Sequence, residues 1–164
     1  MDIIIRKAEA SDAEQVWQLM KELADFEEYA DSFAITPEIV VESGFGASPL
    51  FYCMVAESPA QQCIAGIAVY YFIPYTARNR KALYLKELFV AGPFRGAQTG
   101  RKLMAALVQE ARTHDCYQIK WTVAAWNKKG MEFYEKLGAE QNTQWLNYEL
   151  NEERFDAVSQ TPAP

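Results

Sequence analysis

The sequence has little of what would mark a membrane, disulfide-bonded or metal-binding protein. No apolar run reaches the ~18 residues that a membrane-spanning helix needs. The three cysteines, Cys53, Cys63 and Cys116, are odd in number and form no Cys-x-x-Cys pair, which argues against a disulfide framework and a zinc site. We therefore expect no metal ion and no membrane partner. The N-terminus also lacks the basic start and long apolar segment of a signal peptide, so we expect a cytoplasmic protein.

Positive charge is scarce and scattered. The 164 residues include 16 Lys and Arg against 22 Asp and Glu, which gives a net charge of −6, and the longest basic run is Arg78-Asn79-Arg80-Lys81. Non-specific binding of nucleic acid requires clustered positive charge, so no nucleic-acid partner is expected. An acidic protein attracts cationic amines by electrostatic steering. The same acidity also favours solubility, and the charge alone does not separate the two interpretations.

Two common nucleotide-binding motifs are absent. The dinucleotide fingerprint G-x-G-x-x-G does not occur, and the P-loop G-x-x-x-x-G-K-[ST] is not matched because Gly96 and Gly100 are four residues apart. A different phosphate-binding arrangement is present. An apolar strand predicted over Ala82–Val90 is followed by a glycine-bearing turn and by an amphipathic helix from about Ala97. Such a turn directs backbone N–H groups and the positive end of the helix dipole to one point, which suits the pyrophosphate of a coenzyme.

The hydrophobic periodicities predict the element order β-α-α-β-β-β-α-β-α-β. This order indicates an α+β fold, a mixed sheet flanked by helices on both faces, with a ligand where the central strand meets a helix N-terminus. We expect a single domain over residues 1–158 and a disordered tail over residues 159–164. The predicted strands are 3–5, 50–57, 63–73, 82–90, 117–123 and 145–150, and the later helices are 97–113 and 127–137.

The predicted central strand contains two charged residues on opposite faces, Lys86 and Glu87. Neither alternating set of residues in this strand is cleanly polar. A β-bulge near these two residues would break the register, as is common beside active sites. Without such a bulge, Glu87 would point away from the face that Lys86 occupies.

The turn Arg95-Gly96-Ala97-Gln98-Thr99-Gly100 resembles the Arg-x-x-Gly-x-Gly turn of the GNAT family of N-acetyltransferases, with Gln98 in place of the middle glycine. Eight further segments follow in the order seen in the diamine (spermidine/spermine-type) branch of that family, so that the resemblance covers roughly residues 3–150. These segments are Glu22-Leu23-Ala24, Phe26-Glu27, Gly44-Phe45-Gly46, Val55-Ala56-Glu57, Tyr70-Tyr71-Phe72, Leu83-Tyr84-Leu85, Trp126-Asn127 and Phe133-Tyr134-Glu135-Lys136-Leu137-Gly138-Ala139.

The resemblance implies a GNAT fold, in which a mostly antiparallel mixed sheet splays apart at the coenzyme site. It implies an N-acetyltransferase that moves the acetyl group of acetyl-CoA to a primary amine of a small molecule, a polyamine, diamine or lysine-like amino acid. We expect direct attack in a ternary complex, because the sequence contains no nucleophilic Cys or Ser motif. The family is commonly dimeric, which makes a homodimer the expected assembly.

The resemblance also implies roles for individual residues. Tyr134, in the motif Phe-Tyr-x-x-x-Gly, would donate a proton to the departing thiolate, although an amphipathic tyrosine with its ring in the core is the alternative. Lys86 occupies the position of the branch's proton-accepting and substrate-binding glutamate, which makes it a substrate-binding candidate. It cannot do a carboxylate's work and would repel a polyamine, which leaves Glu87 or a water-mediated route for deprotonation. Phe26 and Glu27 match amine-contacting positions, although Glu27 could also be a solvated helix end.

The expected coenzyme contacts are mostly main chain. The central strand would bind the pantetheine arm as an extra strand, and the turn would hold the pyrophosphate. If the turn requires a positive φ angle at Gln98, this residue costs ~1 kcal/mol. The residues assigned to the coenzyme are Leu88, Phe89, Val90, Arg95, Gly96, Ala97, Gln98, Thr99, Gly100, Arg101 and Asn127.

Two other functions stay open from the sequence. The chain could bind and sense an acyl-CoA with little or no transferase activity, because Lys86 and Gln98 depart from the family pattern. It could instead acetylate amino groups of proteins, although no feature for docking a peptide is visible. Release of a thiol in the presence of an amine separates an enzyme from a sensor.

Overall fold

A computed structural model describes residues 2–159 of the chain. Contacts between Cα atoms divide the chain into two compact units, one ending at Asn127 and one starting at Lys128. In the described part of the chain no helix is long and apolar enough to cross a membrane.

The first unit contains the whole described sheet and three helices. Its strands are β1 (Ile4–Lys7), β2 (Tyr52–Ser58), β3 (Cys63–Tyr75), β4 (Arg80–Val90) and β5 (Cys116–Lys120), and its helices are α1 (Ala13–Phe26), α2 (Pro37–Phe45) and α3 (Thr99–Thr113).

The strands form one mixed sheet in the order β1-β2-β3-β4-β5. The first three pairs of neighbours are antiparallel, and only β4 and β5 run parallel. The parallel pairing covers Lys81 to Tyr84 of β4, whereas β4 itself continues to Val90. The end of β4 therefore separates from β5, and this edge of the strand lies outside the β4–β5 ladder. The predicted α+β class and the splayed mixed sheet are both confirmed.

A β-bulge at Lys86 changes the direction of the side chains along β4. Val69 of β3 pairs with Glu87, whereas the next residue, Tyr70, pairs with Leu85, so that Lys86 is the extra residue. Glu87 therefore lies on the same face as Val69. Lys86 lies on this face too, two residues after Tyr84, whose partner is Tyr71. The bulge predicted near Lys86 and Glu87 is confirmed, and it places both side chains on one face.

Helices cover both faces of the sheet. Helix α1 packs on the face of Ile67, Val69 and Phe89, where its buried residues join one hydrophobic cluster with these three. Helix α3 packs on the opposite face. There a Cβ added to Gly66 of β3 would lie 2.8 Å from the backbone oxygen of Phe89 and 3.4 Å from Leu103 of α3. A glycine at this point therefore allows the close approach of strand and helix.

The second unit contains helix α4 (Lys128–Glu135) and helix α5 (Phe155–Ser159). Gly138 follows α4 with a φ of +85°, as expected for the left-handed residue after a helix. The strand predicted over residues 145–150 is wrong. Among the described residues this segment pairs with no strand. A β-strand requires a hydrogen-bonded partner, and the described part of this unit forms only helices and loops. Of the predicted tail, Ser159 ends α5, and residues 160–164 lie outside the described residues.

The predicted start of helix α3 was wrong, and the backbone conformation of the preceding residue explains why. Helix α3 begins at Thr99 and not at Ala97, because Gln98 has φ 62° and ψ 10°, a left-handed conformation that cannot continue a right-handed helix. By contrast, α2 begins where its sequence predicts. The Thr36 hydroxyl accepts a hydrogen bond from the Ile39 amide at 3.3 Å, and Pro37 occupies the first turn.

Candidate functional site

A cavity of about 340 Å³ lies between the bulged part of β4, helix α1 and the segments that precede α2 and β2. Its lining is mostly apolar or aromatic, and its charged residues are Lys86 and Glu87. Such a cavity suits a small organic molecule with a few polar groups. The lining residues are Met20, Tyr29, Ser32, Phe33, Ala34, Ile35, Leu50, Phe51, Val69, Tyr71, Lys86 and Glu87.

Glu87 carries the clearest sign of a ligand in this cavity. Its Oε2 atom is buried and has no hydrogen-bond partner. Burial raises the pKa of Glu87 to about 7; the charge of Lys86 lowers the pKa and the charge of Glu27 raises it. A buried carboxylate oxygen without a donor is costly, and a cation or a hydrogen-bond donor supplied by a ligand would satisfy it.

Glu27 and Tyr29 are electrostatically coupled to this carboxylate. Burial raises the pKa of Glu27, and the nearby Lys86 partly offsets this effect. Burial, followed by the charges of Glu87 and Glu27, raises the pKa of Tyr29 to about 12, so its hydroxyl stays protonated at neutral pH. The residue between them, Glu28, has a φ of 61° and turns the chain after α1. The structure thus brings Glu27, Lys86 and Glu87 together, as substrate contacts require.

Tyr29 is a residue of the candidate site that the sequence did not predict. It lines the cavity together with Glu87, but it follows α1 in a polar loop and belongs to none of the motifs considered. The one feature of the sequence that could have indicated Tyr29 is its position two residues after Glu27. That spacing is informative only if the backbone of Glu28 is left-handed and turns the chain.

Phe26 does not line the cavity. Its ring lies 5.6 Å from the ring of Trp126 in an edge-on arrangement, and the guanidinium of Arg95 lies 5.6 Å from its centroid. Phe26 is 43% exposed. It therefore lies beside the turn after β4, and its predicted contact with an amine stays a prediction.

The glycine-bearing turn has the backbone that an anion site requires. Gly96 and Gln98 both have positive φ angles, 80° and 62°. The Gln98 side chain does not cap the first turn of α3, so the N–H groups of that turn are not satisfied by the N-cap residue. A Cβ added to Gly96 would meet nothing within 4 Å, which shows open space beside this residue. Arg101 is exposed in the same first turn, which also contains Gly100.

Arg95 connects the turn to the end of β4. Its Nε donates a hydrogen bond to the Val90 carbonyl at 2.8 Å, and its guanidinium lies 5.4 Å from the Phe89 ring centroid. Thr99 is buried and donates a hydrogen bond from its hydroxyl to the Phe94 carbonyl at 3.2 Å. These two side chains hold the turn in place, while Ala97 and Gln98 occupy its outer part. Leu88 is half-buried, whereas Phe89 packs in the core against α1.

Asn127 and Tyr134 lie in the two different units. Asn127 ends the first unit, where its amide donates to the Ala124 carbonyl at 2.9 Å. Tyr134 is half-buried in α4 of the second unit, with its ring 5.2 Å from that of Phe133. The roles assigned to these two residues stay predictions. Among residues 2–159, no group of three or more His, Cys, Asp or Glu side chains is arranged to hold a metal ion.

Comparison with known proteins gives the family. Residues 14–139 match the model of the acetyltransferase (GNAT) family. The thialysine N-epsilon-acetyltransferase of Sus scrofa is 32% identical over 148 residues, which cover 87% of this chain and 86% of the relative. The human spermidine/spermine N(1)-acetyltransferase-like protein 1 is 35% identical over 140 residues, which cover 82% of this chain and 20% of that protein.

Solved structures show the same fold. An integron cassette protein from the mobile metagenome of V. cholerae superimposes with a TM-score of 0.79 at 20% identity, over 98% of this chain and 99% of the other. An aminoglycoside acetyltransferase from an uncultured soil metagenomic sample superimposes with a TM-score of 0.74 at 18% identity, over 91% and 97% of the two chains. The family match covers most of the chain and agrees with its sheet and turn: the chain belongs to the acetyltransferase (GNAT) family and is an enzyme that N-acetylates amines.

Proposed function

We propose that this enzyme transfers the acetyl group of acetyl-CoA to the primary amine of a small molecule, a polyamine, diamine or lysine-like amino acid. The names of the relatives, a thialysine and a spermidine/spermine-type acetyltransferase, support this substrate class. The observation that carries the proposal is the buried, unpartnered Oε2 of Glu87 in the cavity beside β4.

Glu87 is assigned the role of proton acceptor. An alkylammonium has a pKa near ~10.4 and must lose a proton before its nitrogen can attack. A carboxylate with the ordinary pKa of 4.5 is a weak base for this purpose, and the pKa of about 7 at Glu87 brings the two groups closer. The ionised carboxylate also attracts the ammonium into the cavity. Glu27 adds a second negative charge close by. Phe26, which does not line the cavity, is assigned an apolar contact with a part of the amine that extends outside it.

The coenzyme is assigned to the end of β4 and the turn after it. GNAT acetyltransferases use acetyl-CoA as co-substrate, and it supplies an acetyl group activated as a thioester. The edge of β4 after Tyr84 lies outside the β4–β5 ladder and suits main-chain hydrogen bonds to a pantetheine arm through Leu88, Phe89 and Val90. The uncapped first turn of α3 suits a pyrophosphate, with the Arg95 and Arg101 charges near it. The Lys102 ammonium instead donates a hydrogen bond to the Ile3 carbonyl at 3.3 Å. The free edge of β4 and the uncapped turn therefore support the binding of acetyl-CoA at this end of the strand.

Tyr134 is assigned the role of proton donor to the departing thiolate, and Asn127 that of a further coenzyme contact. Both assignments rest on the match of their segments to the family pattern. A tyrosine hydroxyl with an ordinary pKa near ~10 is protonated at neutral pH and can serve as a general acid.

The test is release of free thiol from acetyl-CoA in the presence of an amine panel, followed by mass spectrometry of the product. We expect turnover with at least one amine. Glu87→Gln and Tyr134→Phe should each lower kcat by about 10²- to 10⁴-fold, the usual contribution of a general base or acid. Both variants should retain affinity for coenzyme A in calorimetric titration. Coenzyme binding without turnover of any amine would instead support an acyl-CoA sensor.

We also propose that the enzyme is a cytoplasmic homodimer. The support is the segment 145–150, which joins no ladder in the described part of the chain and exposes 79% of Trp145 and 90% of Tyr148. Large exposed aromatic side chains are typical of surfaces that another chain covers.

A further inference from the structure

Lys86 is the one cavity residue whose charge the proposed amine chemistry does not use. The bulge gives this residue an extra position on β4, on the same face as Glu87. Its side chain is exposed, and among the described residues it forms no ion pair within 4 Å. An unpaired ammonium at the opening of a substrate cavity is free to meet an anionic group of a ligand.

The charges around the cavity have a definite composition. Glu87 and Lys86 line the cavity, and Glu27, outside the lining, lies close enough for its charge to act on Glu87. Burial is the largest cause of the raised pKa of both carboxylates, and the charge of Lys86 lowers the pKa of each. Tyr29 stays neutral beside them. A ligand of complementary charge therefore has two cationic groups and one anionic group. A diamine or polyamine lacks the anionic group and places its ammonium groups beside Lys86, which repels them.

We propose that Lys86 is the specificity-determining residue of the site, and that it binds the carboxylate of a diamino acid whose distal amine lies at Glu87. The proposal rests on the proposed function and narrows its substrate class to zwitterionic amino acids with a second amine on the side chain. Glu87 receives the reacting ammonium in the buried part of the cavity, and Glu27 balances the second amino group. Lys86, on a long and flexible side chain at the exposed side, pairs with the carboxylate.

Lys86 has a second effect, because its charge also lowers the pKa of Glu87. Loss of that effect would raise the pKa of the base and shift the pH profile by the same amount for every substrate. Recognition of a carboxylate, in contrast, changes the ratio of kcat/KM between two substrates that differ only in that group. The ratio is therefore the readout that separates binding of the carboxylate from general electrostatics.

The experiment compares three amines with the same aliphatic arm: L-lysine, cadaverine, which lacks the carboxylate, and 6-aminohexanoate, which lacks the α-amino group. We expect the wild-type enzyme to prefer L-lysine over cadaverine by about ten-fold or more in kcat/KM, the usual magnitude of a charge-assisted contact. Lys86→Gln should abolish this preference, and Lys86→Glu should reverse it. 6-Aminohexanoate also carries a carboxylate, so the wild type should use it with a higher kcat/KM than cadaverine. Lys86→Gln should remove this difference as well. The product of L-lysine should carry the acetyl group on the side-chain nitrogen.

Lys120→Gln, on the exposed end of β5 and outside the cavity, is the matched control and should leave the ratio unchanged. Equal or greater turnover of cadaverine by the wild type would overturn the proposal, as would a ratio that Lys86→Gln does not change. Either outcome leaves the acetylation of amines intact. Failure of the proposed function looks different, because no amine in any panel would then release thiol.

Discussion

Glu87 lies in the wall of the candidate substrate cavity, in an environment that disfavours its charge. Its carboxylate has a pKa of about 7 and a buried oxygen without a partner. Because the unfolded chain ionises near the ordinary value of 4.5, the folded protein should lose stability as the pH rises from that value to about 7. Above pH 7 the full penalty is present. The buried carboxylate thus destabilises the folded protein in the absence of a ligand.

We therefore expect Glu87→Gln to be more stable than the wild type above neutral pH. The neutral amide removes a penalty on the order of 2 kcal/mol at pH 8. For a domain of this size that gain corresponds to about 4–8 °C in Tm. At pH 5 the gain should be much smaller, because the wild-type carboxyl is then protonated in the folded state and only the interval from 4.5 to pH 5 contributes. Thermal unfolding of both proteins at pH 5 and pH 8 measures this, with the exposed Glu140→Gln as control. A gain that is equal at both pH values would contradict the prediction.

Gln98 is a non-glycine residue with a left-handed backbone in the turn that we propose binds the coenzyme. Its φ of 62° lies in the left-handed region, which costs a residue with a side chain ~1 kcal/mol. Gln98→Gly should therefore raise the free energy of unfolding by about 0.5–1 kcal/mol. It should also tighten coenzyme A binding, because it removes a side chain beside the phosphates. Urea denaturation and calorimetric titration measure the two effects.

Gly96 provides the opposite substitution for comparison. Its φ is 80°, and an added Cβ would meet nothing within 4 Å, so that Gly96→Ala introduces strain without a clash. We expect it to lose about 1 kcal/mol of stability. A Gln98→Gly variant that is less stable than the wild type would contradict the prediction of strain at Gln98.

At the level of elements, an ion-pair network connects β1, β2 and the start of α1. Arg6 of β1 donates to Asp12 at 2.6 and 2.9 Å and to Glu57 of β2 at 2.6 Å. Asp12 also accepts a hydrogen bond from the Glu9 amide at 2.8 Å. These bonds to Arg6, the largest influence, hold the pKa of the buried Asp12 below its ordinary value. The network fixes the edge of the sheet on which α1 rests.

Asp12→Ala should therefore lower the free energy of unfolding by about 2–3 kcal/mol at neutral pH, because it leaves Arg6 and the Glu9 amide without a buried acceptor. The lowered pKa means that the contribution of Asp12 is present above the ordinary Asp range and is lost as the pH falls through its folded-state pKa. The difference between variant and wild type should thus shrink in acid. Urea denaturation at pH 7 and in acid measures it. The half-exposed Glu57→Gln is the control, and we expect it to cost less than about 1 kcal/mol.

The elements differ in how far the sequence could predict them. Helix α2 was predictable because its start depends on two adjacent residues, Thr36 and Pro37, whose effects are local. The segment 145–150 has an apolar, aromatic composition typical of a strand, yet a strand also requires a partner, and composition contains no information about one. The bulge at Lys86 was predictable because two adjacent charges in an otherwise buried strand conflict with a period of two.

The whole-molecule prediction concerns assembly. The exposed Trp145 and Tyr148 lie in the segment without a ladder partner. We expect the protein to be a dimer by size-exclusion chromatography with light scattering, and the double variant Trp145→Lys/Tyr148→Lys to be a monomer, because two charges at a buried apolar interface are strongly unfavourable. Val108→Lys, on an exposed apolar position of α3, is the control and should stay dimeric. A monomeric wild type would rule out this role of the segment.

At the same scale, the family could be predicted from the sequence, whereas the candidate substrate cavity could not. Sheet, turn and family follow from residues close together in sequence, such as Arg95 to Gly100. The cavity does not, because its wall comes from segments far apart in the chain, among them Tyr29 and Leu50. The coupling of Glu27 to Glu87 depends on tertiary packing, and only the folded chain makes it visible.

The bulge in β4 has a consequence for how this enzyme can diverge. If Lys86 were deleted, Leu85 and Glu87 would become neighbours and every other pair between β3 and β4 could remain as it is. The scaffold therefore places almost no constraint on this residue, and mutation there can explore new chemistry at little risk to folding. A substitution at position 86 can therefore change the charge beside the cavity while the pairs between β3 and β4 stay the same.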